Sequence, residues 1–359
     1  MTRRLVISML LICFLPVFVG SAAFGDAVKQ TPWLGGVTAN SVYACLEATN
    51  TTAATVDFGL TNAYGMSATT ASPGGYTELT SGSNYVHNVK LIGLLPNTQY
   101  HYKVTQGASV SADYSFWTAP LAGTPAHWGF AADCRTYTAT HNSVIAQVAT
   151  HAPRMMVYGG DLCNDSQYST WNSEWFLTGF IPSNQAALDA VSPFVNSPGN
   201  HEGWGNMTKA FTQSATGDPD YFSFDYGDSH ILVLNYMVSD AVGSAQWNFA
   251  ANDLANTDKK FKIVVDHSPA YCYGGHGNDA EMVAMTTGGP CPGRAQPLLP
   301  AQPGQRHTSH GDRLVRRPAD NSLLWAIHGL HRGHGVLRNH RHHGGLPVPQ
   351  DLSWRRHAP

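Results

Sequence analysis

Two patterns of apolar and polar positions divide the chain near residue 120. Before that point, short runs of β-branched and aromatic residues alternate with polar residues and are separated by Gly, Asn, Ser and Pro, as in Ser41–Glu47, Ala54–Phe58 and Tyr100–Val104. Period-two alternation is typical of half-buried strands, and short strands at close spacing are typical of sandwiches. The pattern therefore predicts a small β-sandwich over residues 26–120.

Between residues 126 and 292 the apolar runs are continuous and end at Gly or at a polar residue. The predicted strands are His127–Ala132, Arg154–Tyr158, Ile231–Leu234 and Phe261–Val265, and a helix is predicted at Asn142–Thr150. Continuous apolar runs indicate strands that are buried on both faces, and their alternation with helices indicates a layered α/β domain. Such a domain carries its site along the carboxyl ends of its strands.

Residues 293–359 differ in composition from the rest of the chain. They hold ten of the 21 Lys and Arg, all of them Arg, and nine His, but no Lys, Phe or Tyr. No strand or helix period is visible, so this tail is predicted to be disordered or out of frame. A natural basic tail and a nucleic-acid-binding arm are alternatives. Such arms usually mix Lys with Arg, which favours a reading-frame error or truncation and makes nucleic acid an unexpected partner.

Residues 1–25 have the layout of a secretory signal peptide, with two arginines before an apolar run from Leu5 to Val19 and small residues after it. An uncleaved membrane anchor is the alternative, although an anchor normally needs about 20 apolar residues. We therefore expect a secreted or periplasmic protein that is not held in a membrane after cleavage. Cleavage removes Cys13 and leaves five cysteines, so at least one thiol is expected to stay unpaired.

Polar clusters follow the predicted buried strands, at Asp133-Cys134-Arg135, Gly160–Asp165, Gly199-Asn200-His201-Glu202 and Asp266–Pro269. Their mixture of carboxylate oxygens and imidazole nitrogens suits Fe, Mn or Zn better than Ca or Mg. A pair of ions would need a bridging carboxylate, for which Asp161 is the candidate, and could clamp a phosphate ester. The sequence contains neither a GxSxG elbow nor a P-loop, which disfavours serine hydrolases and nucleotide kinases.

In this order and spacing the clusters resemble those of calcineurin-like metallophosphoesterases, and the preceding sandwich narrows the resemblance to the purple acid phosphatase type. Gly199-Asn200-His201-Glu202 is its most specific element, and it runs from about residue 30 to 290. Leu91–Val104 is similar to the turn and strand of fibronectin type III domains. The resemblance implies a fibronectin type III-like β-sandwich followed by an α/β/β/α layered metallophosphoesterase domain that is incomplete at its C-terminus.

The resemblance also implies hydrolysis of small-molecule phosphate esters by hydroxide bound to two metal ions, Fe, Zn or Mn. Asp133 would bind the first ion, Asp161 would bridge, and Asn200 and His267 would bind the second. Asn164 is a further candidate metal-binding residue. It stands where the purple enzymes have the Tyr whose charge transfer to iron gives their colour, so this protein should not be purple.

Three more residues are predicted to act on the substrate. His201 would contact the phosphate and protonate the leaving alkoxide as a general acid. Arg135 stands where many metallophosphoesterases have a ligand His, and it cannot bind a metal but can fork onto a phosphate. His276, nine residues after His267, falls where relatives place a substrate-contacting histidine.

The closing Gly-His-x-His element of the family, whose histidines serve one metal each, is not found after His276 in a strand context. The nearest fragments are Gly333-His334-Gly335 and His340-Arg341-His342, and neither follows an apolar run. A catalytically inactive pseudoenzyme or binding protein is therefore the alternative to an active phosphoesterase.

Overall fold

The computed structural model describes residues 28–71, 76–79, 84–180, 183–203, 205–211, 214, 220–271, 279–287 and 322–325. The predicted signal peptide at residues 1–25, His276 and most of the tail lie outside the described residues. In the described part, no helix is long and apolar enough to cross a membrane.

The N-terminal region is built from strands alone. They are β1 (Trp33–Gly35), β2 (Ser41–Ala48), β3 (Thr55–Gly59), β4 (Met66–Thr69), β5 (Tyr76–Glu78), β6 (Tyr85–Ile92), β7 (Gln99–Gln106), β8 (Ser109–Val110) and β9 (Tyr114–Trp117). One sheet contains β1, β2, β6 and β5, and the other contains β4, β3 and β7 with β8 and β9 paired to β7. Tyr100, Tyr102 and Val104 alternate with half-exposed residues along β7 and pack in the core. The predicted sheet-rich N-terminal region is confirmed.

The second half mixes strands and helices. Its elements are β10 (Gly129–Ala131), α1 (Thr138–Ala149), β11 (Met156–Tyr158), α2 (Tyr168–Thr170), a π-helical turn (Trp171–Trp175), α3 (Asn184–Asp189), β12 (Phe194–Asn196), α4 (Asn206–Phe211), β13 (Phe222–Tyr226), β14 (Ser229–Val233), α5 (Ala245–Asn256), β15 (Phe261–Val265), α6 (Ala280–Thr287) and β16 (Ser322–Trp325). Strands β10, β11 and β12 are parallel neighbours, and β13 to β16 form a second sheet in chain order.

Alternate residues of these strands face different cores, which explains their continuous apolar sequence. In β11, Val157 joins the core between the sheets, whereas Met156 and Tyr158 face the cluster formed with α1, α3 and the π-helical turn. In β14, Val233 faces the same central core, whereas Leu232 packs with α5 and α6. Helices therefore cover the outer face of each sheet.

The two halves share a sheet. Strand β1 pairs in parallel with β12, with Gly35 opposite Phe194, so the first sheet has seven strands in the order β10-β11-β12-β1-β2-β6-β5. The Trp33 indole N–H also donates to the Phe211 carbonyl at 3.0 Å, and the Tyr102 hydroxyl donates to the Ala190 carbonyl at 2.8 Å. The N-terminal strands are thus bonded directly to the half that carries the polar clusters.

The described part of the tail is a short strand. No strand was predicted within residues 293–359, yet β16 pairs in parallel with β15, with Phe261 opposite Ser322 and Val264 opposite Trp325. A four-residue strand is too short to display a period in the sequence, and its pairing is decided by the open edge of β15. The remaining tail residues lie outside the described residues.

The described cysteines, Cys45, Cys134 and Cys163, are buried and free. Burial raises the pKa of each thiol, so all three remain protonated and behave as small apolar side chains. The expectation that at least one thiol stays unpaired is confirmed.

Candidate active site

The four polar clusters lie at the carboxyl ends of parallel strands. Asp133 follows β10, Asp161 follows β11, Asn200 follows β12 and His267 follows β15. Backbone hydrogen bonds join the first two loops, because Asp133 N–H donates to the Gly160 carbonyl at 3.0 Å and Arg135 N–H donates to the Asp161 carbonyl at 3.2 Å. Three of the clusters follow strands of the seven-stranded sheet and the fourth follows β15 of the second sheet, so loops from two sheets meet here rather than at a single sheet edge.

The backbone at this edge is strained and tightly packed. Asp133 and Asp161 have φ values of 54° and 53°, a left-handed conformation that is uncommon for residues other than Gly. A Cβ atom on Gly160 would lie 2.6 Å from the Gly199 nitrogen, and one on Gly199 would lie 2.4 Å from the Asp161 nitrogen. Strain of this kind persists where surrounding structure holds it and is concentrated at functional sites.

Asp161 is the centre of the cluster. Its side chain is only 3% exposed, and its Oδ2 accepts a hydrogen bond from Arg135 Nε at 2.8 Å. Its Oδ1 accepts from the His201 backbone N–H at 3.1 Å and lies 3.4 Å from His267 Nε2. Arg135, Asp161 and both histidines are therefore brought together as predicted from the sequence.

The His267 ring is held in one orientation. Its Nδ1 donates to the Gly159 carbonyl at 2.8 Å, which fixes the ring and directs Nε2 toward the cluster. Nε2 lies 3.1 Å from Asn200 Oδ1 as well as 3.4 Å from Asp161 Oδ1. In a neutral ring Nε2 carries a lone pair, so three electron-pair donors point at one place.

The donor set fits a metal ion in its chemistry. Among the described residues, no group of three or more His, Cys, Asp and Glu side chains is close enough to hold a metal. The amide oxygen of Asn200 completes the set of Asp161 and His267 instead. Carboxylate, amide and imidazole donors together suit Fe, Mn or Zn.

His201 stands at the open side of the cluster. Its Nδ1 contacts the Asn164 carbonyl at 3.1 Å, its Nε2 lies 4.0 Å from Asp161 Oδ2, and its side chain is 32% exposed. Asn164 meets His201 through its backbone, and its own N–H donates to Glu174 Oε2 at 2.6 Å. The metal-binding role of the Asn164 side chain stays a prediction, as does the role of His276.

Glu202 and Asn196 form a buried support that the sequence did not reveal. Glu202 Oε1 accepts from Gly199 N–H at 3.0 Å and from Asn196 Nδ2 at 3.4 Å, and Asn196 Oδ1 accepts from Gly160 N–H at 3.3 Å. Burial raises the pKa of Glu202 to about 7. These bonds connect the two glycines whose close approach positions Asp161. The only sequence signal was the place of Glu202 directly after Asn200 and His201.

Comparisons with known proteins show what this chain is similar to. The family model described as Purple acid Phosphatase, N-terminal domain, matches residues 35–118. Purple acid phosphatase 15 of Arabidopsis thaliana is 22% identical over 247 residues, which cover 58% of this chain and 46% of the relative. Probable purple acid phosphatase 20 of the same plant is 25% identical over 207 residues, which cover 53% of this chain and 46% of the relative. The chain therefore spans about half the length of the curated relatives it matches.

A solved structure extends the likeness to the fold. Purple acid phosphatase PPD1 from yellow lupin (Lupinus luteus) seeds matches with a TM-score of 0.54 at 18% identity, over 70% of this chain and 53% of that one. The matched region includes strands from both halves of this chain, because 70% exceeds what the N-terminal region supplies.

Proposed function

We propose, from the confirmed resemblance to purple acid phosphatase-type metallophosphoesterases, that this chain is a metal-dependent hydrolase of phosphate esters. The observation that carries the proposal is that Asp161 Oδ1 and Asn200 Oδ1 lie 3.4 and 3.1 Å from His267 Nε2. Arg135 and His201 lie beside Asp161. Two Fe, Zn or Mn ions are expected, as the family resemblance implies. When bound, such ions supply Lewis acidity and activate water for attack on phosphorus.

The proposed binding roles draw on these contacts and on the family resemblance. Asp161, Asn200 and His267 would hold one ion, and Asp133 and Asp161 would hold the other. Arg135 offers a planar fork of N–H donors that matches two phosphate oxygens. Because Arg135 Nε is bonded to Asp161 at 2.8 Å, the guanidinium is already held at the edge of the cluster. Substrate phosphate would be positioned between this guanidinium and the ions.

His201 is suited to the leaving group. Its Nδ1 is engaged by the Asn164 carbonyl, so its Nε2 is the nitrogen left to face a substrate. In the imidazolium form Nε2 would give its proton to the departing alkoxide oxygen. Asp161 Oδ2, 4.0 Å from Nε2, would keep the charged ring in place.

The setting of the enzyme is part of the proposal. We propose export to a secreted or periplasmic location, directed by residues 1–25. Because Asn164 stands in place of the family's Tyr, the metal-loaded protein is predicted not to be purple. The inactive alternative rests on the sequence after His276, where no Gly-His-x-His element was found in a strand context. Most of that sequence lies outside the described residues, and no contact among the described residues favours the alternative.

The test is Asp161→Asn with Asp165→Asn as its matched control. Both changes remove one carboxylate from the same loop. The Asp165 carboxylate accepts hydrogen bonds from Gln167, two residues along the chain, and is assigned no role in the site. We expect Asp161→Asn to lower metal content by at least about tenfold and to abolish hydrolysis of a chromogenic phosphomonoester, since a ligand is lost. Asp165→Asn should retain both properties. Full metal content and turnover in Asp161→Asn would overturn the assignment.

A further inference from the structure

The connection from β14 to α5 begins with a rigid turn beside the candidate site. Asn235 N–H donates to Gln246 Oε1 at 2.8 Å, and Gln246 Nε2 donates to the carbonyls of Asn235 at 3.2 Å and Val238 at 3.1 Å. Asn235 and Gln246 are both buried. Further bonds run from the Met237 and Val238 N–H groups to Asn235. Together these bonds between Gln246 and the backbone of the turn hold the turn in one conformation.

The same turn is fixed to the strands that carry the ligands. Leu234 N–H donates to the Val265 carbonyl at 2.8 Å, and Ser197 Oγ donates to the Leu234 carbonyl at 2.7 Å. Val265 precedes the Asp266-His267 cluster, and Ser197 precedes Gly199-Asn200. The turn is therefore held at a constant position relative to both His267 and Asn200.

This rigid turn exposes apolar side chains next to the cluster. Tyr236 is 44% exposed and Met237 is 50% exposed. The Tyr236 ring lies 5.6 Å from the His267 ring, centroid to centroid, in an edge-on arrangement with an interplanar angle of 80°. A single exposed apolar residue is ordinary on a protein surface. An aromatic ring that is held by a braced turn against a candidate metal ligand is a preformed contact surface.

We propose that Tyr236, with Met237 beside it, determines specificity by contacting the organic group of the phosphate ester, and that the preferred substrates are aryl phosphate monoesters. The proposal rests on the proposed function, because it assumes that the phosphate is held at Arg135 and the ions. An ester group that projects from a phosphate next to His267 then meets the exposed ring of Tyr236. Aromatic pairs gain affinity beyond the burial of apolar area, whereas a small alkyl or hydroxylated group gains little there.

The test compares binding of phenylphosphonate and methylphosphonate to the full-length chain loaded with Zn²⁺. Both are stable phosphate analogues that are not hydrolysed, so differences in leaving-group reactivity do not enter. Isothermal titration on the wild type should show phenylphosphonate binding about tenfold more tightly, a ratio in line with one aromatic contact plus apolar burial. Tyr236→Ala should reduce that ratio to about two or less, while Tyr236→Phe should keep it, since the ring is retained.

Controls separate this inference from a structural role and from failure of the proposed function. Val242→Ala changes an exposed apolar residue in the same connection, 58% exposed, and should leave the ratio unchanged. Thermal unfolding of each variant confirms that it is folded. An unchanged ratio in Tyr236→Ala, or equal binding of both phosphonates by the wild type, would overturn the specificity role. Absence of binding of either phosphonate to the Zn²⁺-loaded wild type would overturn the proposed function and this inference with it.

Discussion

Replacing Tyr168 with Phe tests whether the N-terminal strands support the candidate active site. Glu47, on β2, is fully buried, and its Oε1 accepts a short hydrogen bond from the Tyr168 hydroxyl at the start of α2. Its other oxygen accepts from Gln30 Nε2 at 2.9 Å. Burial raises the pKa of Glu47 above its ordinary value, although the hydrogen bond from Tyr168 acts in the opposite direction. The loop that carries Asp161 ends directly before Tyr168, so this bond fixes one end of it.

The expected magnitude follows from leaving a buried carboxyl oxygen without its donor. Removing one partner of a buried hydrogen bond costs about 1–3 kcal/mol, with charged groups toward the upper end. A loss of about 2 kcal/mol corresponds to a fall in Tm of roughly 4–8 °C for a domain of this size. Metal affinity should fall as well, because the loop between Asp161 and Tyr168 loses an anchor.

Thermal unfolding and Zn²⁺ titration measure the two effects, and Tyr64→Phe is the matched control. The Tyr64 hydroxyl donates to Asp113 Oδ1 at 3.0 Å, an equivalent bond on the exposed surface, which typically contributes only about 0–1 kcal/mol. The reasoning is refuted if Tyr168→Phe loses no more stability than Tyr64→Phe. Reduced stability with unaltered Zn²⁺ affinity would refute the link to the site while leaving the buried bond in place.

Two further predictions concern backbone packing and pH. Gly160→Ala should lower Tm and metal affinity, because the added Cβ would lie 2.6 Å from the Gly199 nitrogen. Gly65 is also at positive φ, but a Cβ there would have nothing within 4 Å. Gly65→Ala should therefore lower the free energy of unfolding by only about 1 kcal/mol. Equal losses in the two variants would contradict this. Burial opposes protonation of His230, but hydrogen bonds to Asp253 and Asp225 outweigh it and raise its pKa. Its stabilisation is therefore complete below pH 6.5 and is lost as pH rises through the raised value. A wild-type Tm that exceeds that of His230→Gln equally at all pH values would contradict the assignment.

The strands were the most predictable part of the fold. Strand β15 matches the predicted Phe261–Val265, and β2 extends the predicted Ser41–Glu47 by one residue. Their apolar periods are local signals that depend on one burial pattern. Helix α1 begins at Thr138, four residues before the predicted Asn142. The prediction began too late because the first turn of the helix buries a polar residue, which interrupts the apolar pattern. His141 is buried there by a 2.9 Å bond to Gln185, which no local pattern announces.

The sequence predicts which polar side chains lie at the ends of the buried strands, but it does not predict how those side chains contact one another. Each cluster follows a buried strand, so the sequence indicates which side chains reach the edge. The bond between Arg135 and Asp161 and the support of Glu202 depend on how loops from different strands pack. The same holds for β1, whose pairing with β12 joins residues far apart in the chain. Such long-range contacts leave no periodic trace in a single sequence.

The most direct test of the central claim is elemental analysis of the purified full-length chain, combined with hydrolysis of a chromogenic phosphomonoester. We expect stoichiometric bound Fe, Zn or Mn together with turnover, and the loss of both in Asp161→Asn, because the Asp161 carboxylate contacts both Arg135 and His267. A chain that is folded by thermal unfolding yet binds less than one ion and shows no turnover would contradict it.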